Sequence, residues 1–169
     1  RDFVTAVAEQ STRPENVEQL MDLGILDLLR PLLHDSVPSV RQTAALAVAR
    51  LSGHTIQVAR SLLSFGVVPE VIAGLDSDDS QFQATACAII RSVARHSSDL
   101  AVSLVEHNCL PPLIKCIEAP DRRVRESSAL AIGSIATHDQ TLAKEVVDAG
   151  AIGPLVRSPE KKASVGALG

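Results

Sequence analysis

Four segments of this chain, QLMDLGILDLL, SLLSFGVVPEV, SLVEHNCLPPL and EVVDAGAIGPL, align without gaps and place Gly24, Gly66, Asn108 and Gly150 in one column with a constant spacing of 42 residues. A second column holds His54, His96 and His138, and a third holds Thr55, Ser97 and Asp139. A unit this short cannot enclose its own apolar face, so it must bury that face against the next unit. The period therefore selects a stacked array over a closed globular fold.

Each column has a local physical meaning. Thr, Ser and Asp carry an oxygen that accepts from the free N–H groups of a helix's first turn, so Thr55, Ser97 and Asp139 are expected to cap a short helix of about ten residues. The Gly column should close that helix in the left-handed region, which Asn tolerates better than other non-glycine residues. A second helix follows, with Pro69, Pro111, Pro112 and Pro154 near its first turn, where a missing N–H does little harm. Pro31 sits later and is expected to kink its helix.

After the polar breaks HDSVP, DSDDS and EAPD, a longer third helix is expected over residues 38–53, 80–95 and 121–136. Its inward residues recur at helical spacing. They are Val40, Ala44, Ala47, Val48 and Leu51, then Phe82, Ala86, Ile89, Ile90 and Val93, then Val124, Ser128, Ala131, Ile132 and Ile135. No segment alternates as a strand would.

An all-α chain with three helices per 42-residue unit resembles the armadillo repeat, and the two-helix HEAT repeat is the lesser fit. The resemblance implies a right-handed superhelical solenoid whose third helices line a concave groove. The chain then divides into the third helix of a preceding repeat (residues 1–12), repeats at 13–54, 55–96 and 97–138, and a partial repeat at 139–169. Its start, RDFVTAV, has neither Met nor a signal pattern, which is read as a piece of a longer chain with further repeats. Near the end, KKASVGALG matches VRQTAALAV six residues too early for the period. The preferred reading is a segment left out between Arg157 and Ser158, with a shortened final repeat as the alternative.

Composition removes several function classes. The net charge of −4 and an aromatic content of 2% argue against a nucleic-acid surface. No apolar run approaches a membrane span, and three cysteines without a secretory segment fit a reducing compartment. The stretch LVEHNCLPPLIKC invites a metal or redox reading. However, Cys87, Cys109 and Cys116 all fall in columns of small hydrophobic residues, and tetrahedral zinc needs a fourth ligand. His107 replaces Leu23, Phe65 and Ala149 and is expected to be partly buried and hydrogen-bonded. The His54, His96 and His138 column is expected to end each third helix near its negative pole and pack on the next turn. Catalytic, metal and cofactor sites and a small-molecule substrate are not expected.

Function is therefore sought on the exposed stripe of the third helices, whose seven arginines face only Asp121 and Glu126. The candidate partner-binding residues are Arg41, Gln42, Leu46, Arg50, Ala88, Arg91, Ser92, Arg95, Arg123, Leu130 and Ser134. A basic inner face on an acidic chain suits an acidic protein segment, since arginine can hold a carboxylate by two hydrogen bonds, and the other reading is a solvated face whose charges support the helices. The armadillo nuclear-import adaptors hold basic peptides with a Trp and Asn ladder. Here the matching columns are Leu46, Ala88 and Leu130, then Arg50, Ser92 and Ser134, so that ladder is absent.

The stretches RDFVTAVAEQSTRPENVEQL, LLRPLLHDSVPSVRQTAALAVARL and RSVARHSSDLAVSLVEHN resemble, more closely, an armadillo family of the flagellar central apparatus. That resemblance implies a cytoskeletal scaffold of the axoneme in cilia and flagella, with central-pair or microtubule-associated protein partners and a role in motility. The alternative is a soluble cytoplasmic adaptor that holds extended acidic peptides in signalling or transport.

Overall fold

The computed structural model describes residues 2–158. Among them there is no strand, and the helices follow the order α1 (Asp2–Gln10), α2 (Pro14–Asp22), α3 (Ile25–Leu32), α4 (Pro38–Ser52), α5 (Ile56–Ser64), α6 (Val67–Ala73), α7 (Ser80–Ala94), α8 (Ser98–Glu106), α9 (Leu110–Cys116), α10 (Arg122–Ala136), α11 (Gln140–Asp148) and α12 (Ile152–Arg157). A single 3-10 turn, Gly74–Asp76, extends α6.

The expected local devices are present. Thr55, Ser97 and Asp139 each accept from the backbone N–H three residues on, at Val58, Leu100 and Leu142. Each starts a helix of nine residues. Gly24, Gly66, Asn108 and Gly150 have φ of 70°, 69°, 61° and 87°, and Asn108 is the one non-glycine with positive φ among the described residues. Pro31 corrects an expectation: α3 ends at Leu32, one residue later, so little helix is left for the ring to bend.

The third helices α1, α4, α7 and α10 pack side by side. Fourteen of the fifteen residues expected to face inward on α4, α7 and α10 are buried, and Val40 is half-buried against them. The sequence columns of Gly74 and Phe82 hold Leu32 and Val40 in the repeat before and Cys116 and Val124 in the repeat after. A methyl group on Gly74 would lie 2.2 Å from Phe82 Cε1, so the large ring occupies the room the glycine leaves.

The first turn is one residue shorter than the period. His96 reaches the Ser52 carbonyl, whereas His54 reaches that of Ser11, where the strict spacing would give residue 10. At the other end, the Ser158 N–H closes on the Pro154 carbonyl at 2.9 Å directly after Arg157. The third helix expected from KKASVGALG lies outside the described residues.

Candidate functional site

Because α7 has α4 on one flank, α10 on the other and its own repeat's helices behind, the arc left open is the inner face of the array. At 100° per residue that arc holds Gln81, Ala84, Thr85, Ala88, Arg91, Ser92 and Arg95, all exposed or half-buried. On α4 the equivalent stripe contains Gln42, Leu46 and Arg50, and on α10 it contains Arg123, Leu130 and Ser134. Leu46 and Ala88 are exposed and Leu130 is half-buried, giving the groove an apolar floor.

The structure divides the arginines. Arg41 donates from Nη1 to the Asp35 carbonyl at 2.9 Å and lies 3.8 Å from Asp79 Oδ2. Gln42 donates to the same Asp79 oxygen at 2.8 Å. Both were candidates for partner contact, and both instead fasten α4 to the start of α7. Asp79 itself caps α7 through the N–H groups of Gln81 and Phe82. Burial pushes its carboxyl up, but the bonds from Phe82, Gln42 and Gln81 and the charge of Arg41 outweigh that and hold it below the ordinary carboxylate value. In Arg41's column, Gln83 binds the Leu75 carbonyl at 2.6 Å and Arg125 binds those of Ala119 and Pro120 at 3.0 and 2.8 Å. This column therefore ties each third helix to the loop before it.

Other arginines are also engaged. Arg50 donates to the Ala8 carbonyl of the preceding third helix. Arg122 pairs with Glu126 at 2.7 Å. Arg123 pairs with Asp121 at 3.0 Å, and its side-chain and backbone hydrogen bonds bring the Asp121 carboxyl down to about 2. Arg91 and Arg95 have no hydrogen bond or ion pair among the described residues. Arg91 Nε is buried without a partner, a condition that costs about 1–3 kcal/mol for a hydrogen-bond donor.

The three histidines form a ladder between repeats. His54, His96 and His138 place Nε2 at 2.8, 2.7 and 2.6 Å from the carbonyls of Ser11, Ser52 and Ala94. Each ring thus meets the end of the preceding repeat's third helix, where carbonyls lack helical partners, and not the next turn as expected. His107 is exposed, correcting its expected partial burial, and its Nδ1 lies 2.7 Å from the Ser103 carbonyl. All three cysteines are buried and free. Burial pushes the Cys109 thiol up to about 12, and the neighbouring Cys116 thiol together with burial raises Cys87 further. They are packing residues.

An Armadillo/beta-catenin-like repeat model matches residues 97–137, and a HEAT repeat model matches residues 25–54. A designed armadillo repeat protein superposes with a TM-score of 0.90 at 24% identity, covering 98% of this chain and 72% of its own. The fold is an armadillo-repeat solenoid. A second designed armadillo protein, solved in complex with the peptide (KR)4, superposes at 0.89 with 25% identity, covering 99% of this chain and 72% of that one. Mouse sperm-associated antigen 6 is 44% identical over 73 residues, and the human protein is 42% identical over the same length. Each match covers 43% of this chain and 14% of the relative, so the matched stretch is a small part of those proteins.

Within the solenoid, the candidates Leu46, Ala88 and Leu130 lie on the outward stripe of the third helices, but the sequence pattern did not separate the two classes of arginine. One signal was available: the column of Arg41, Gln83 and Arg125 carries a long donor in every repeat, as a structural tie requires, whereas Arg91 stands between Ala49 and Gly133.

Proposed function

We propose that this chain is a non-catalytic protein-interaction segment of a scaffold in the axoneme of cilia or flagella, where it contributes to the central apparatus and to motility. The observation that carries the reading is the likeness to sperm-associated antigen 6 over 73 residues. The use of the chain's polar residues supports it. The Cys residues pack, the repeated His, Thr, Ser and Asp residues close helix ends, and what remains is a groove suited to extended protein segments. Among the described residues no group of three or more His, Cys, Asp or Glu could hold a metal ion, and no single helix is long and apolar enough to cross a membrane.

Detergent extraction of flagella that express the tagged protein tests the proposal. Retention with the microtubules after the membrane and soluble matrix are removed is the expected result. Complete release with the matrix would refute the scaffold reading and favour a soluble adaptor.

A further inference from the structure

We infer that Arg91 and Arg95 form a subsite that takes the side-chain carboxylate of an extended acidic protein segment lying across α7. The inference rests on the reading of the groove as a protein-binding surface and names the chemistry of its occupant. Arg91 and Arg95 are four residues apart on the open arc of α7, where two like charges oppose helix formation unless an anion lies between them. The flanking columns present Ala49 and Gly133 beside Arg91, and Gly53 and Thr137 beside Arg95, so no acid from α4 or α10 neutralises them. Every other arginine of these helices has a partner already.

Arg91 Nε is the buried side-chain nitrogen without a partner among the described residues. A planar carboxylate can accept from the two terminal nitrogens of one guanidinium together, which a single neutral acceptor cannot do as well. Leu46, Ala88 and Leu130 flank the subsite with apolar surface, which suits a segment in extended conformation that alternates acidic with aliphatic side chains.

The probe is a labelled peptide alternating Glu and Ala, with a Lys and Ala counterpart of equal length, followed by fluorescence anisotropy at an ionic strength of about 0.15 M. The Glu peptide is expected to bind saturably and the Lys peptide to bind far more weakly. The double variant Arg91→Gln with Arg95→Gln should weaken the Glu peptide by about tenfold or more. Arg60→Gln with Lys144→Gln, which removes equal charge from exposed positions on α5 and α11, should leave binding unchanged. The melting temperature of the Arg91 and Arg95 variant should not fall, because neither side chain has a structural bond to lose.

The proposal is overturned if the Glu peptide does not bind, if the Lys peptide binds equally, if both double variants weaken binding alike, or if the groove variant loses affinity and melting temperature together. Tighter binding of a phosphoserine peptide would overturn the choice of carboxylate. None of these results bears on retention in extracted flagella, so this inference and the axonemal reading can fail separately.

Discussion

Gly74 and Phe82 offer a sharp test of how the segments of one repeat accommodate one another. A β-carbon built on Gly74 lies 2.2 Å from Phe82 Cε1, 3.1 Å from Cζ and 3.2 Å from Cδ1, against a ring that is 3% exposed and has nowhere to turn. Gly74→Ala should therefore destabilise by about 1–3 kcal/mol, the range for overpacking a dense interior. Phe82→Val removes most of a buried ring and should cost roughly 1–3 kcal/mol through lost burial and the space left behind. The double variant approximates the pairings of the neighbouring repeats, Leu32 with Val40 and Cys116 with Val124. It should accordingly be more stable than the sum of the single changes by about 1–2 kcal/mol. Urea unfolding of the four proteins, followed by helical circular dichroism at neutral pH, measures this coupling. Additive effects would show that the glycine and the ring are not a matched pair, and the size-complementarity argument would fail.

Two further outcomes follow from the backbone and the helix caps. Asn108→Gly should be neutral or slightly stabilising in a thermal melt, whereas Asn108→Val should cost on the order of 1–2 kcal/mol because a β-branched side chain opposes φ of 61°; equal melts would refute the left-handed role of the column. The carboxyls of Asp79 and Asp121 sit below their ordinary value in the folded chain, so their contribution is fully present above the ordinary carboxylate range and is lost as pH falls through each folded value, which for Asp121 is about 2. Urea midpoints of the wild type and of Asp79→Asn with Asp121→Asn should differ at pH 6 and draw together as the carboxyls protonate in acid, and a constant gap would contradict the assignment.

Much of this architecture was legible because its signals are local. A cap, a left-handed residue and an amphipathic third helix each declare themselves within a few positions, and the 42-residue period multiplies each signal by the number of repeats. Contacts between repeats were less legible. Gln42 has the spacing of a groove residue, yet its side chain reaches Asp79 one repeat away, a partner that no single column reveals, and Arg41, off that stripe, lies 3.8 Å from the same carboxylate. The histidine column was visible, but a ring at a helix end can turn towards either neighbour. Its choice of the preceding helix depends on where that helix's free carbonyls fall in space. The one-residue shortening after α1 was hidden because the Gly24 column aligns without it.

The histidine ladder bears on how a chain of this kind can change length. Each ring addresses a main-chain oxygen, which every residue type supplies, and it finds that oxygen 44 positions back in both later steps. Excising one whole period, residues 55–96, would carry His138 from the Ala94 carbonyl to that of Ser52 with the same offset. The bond is indifferent to which repeat stands beside which. Gene segments encoding whole units could thus be lost, duplicated or exchanged without creating a mismatched rung, whereas an insertion of half a unit would displace the next histidine from its carbonyl.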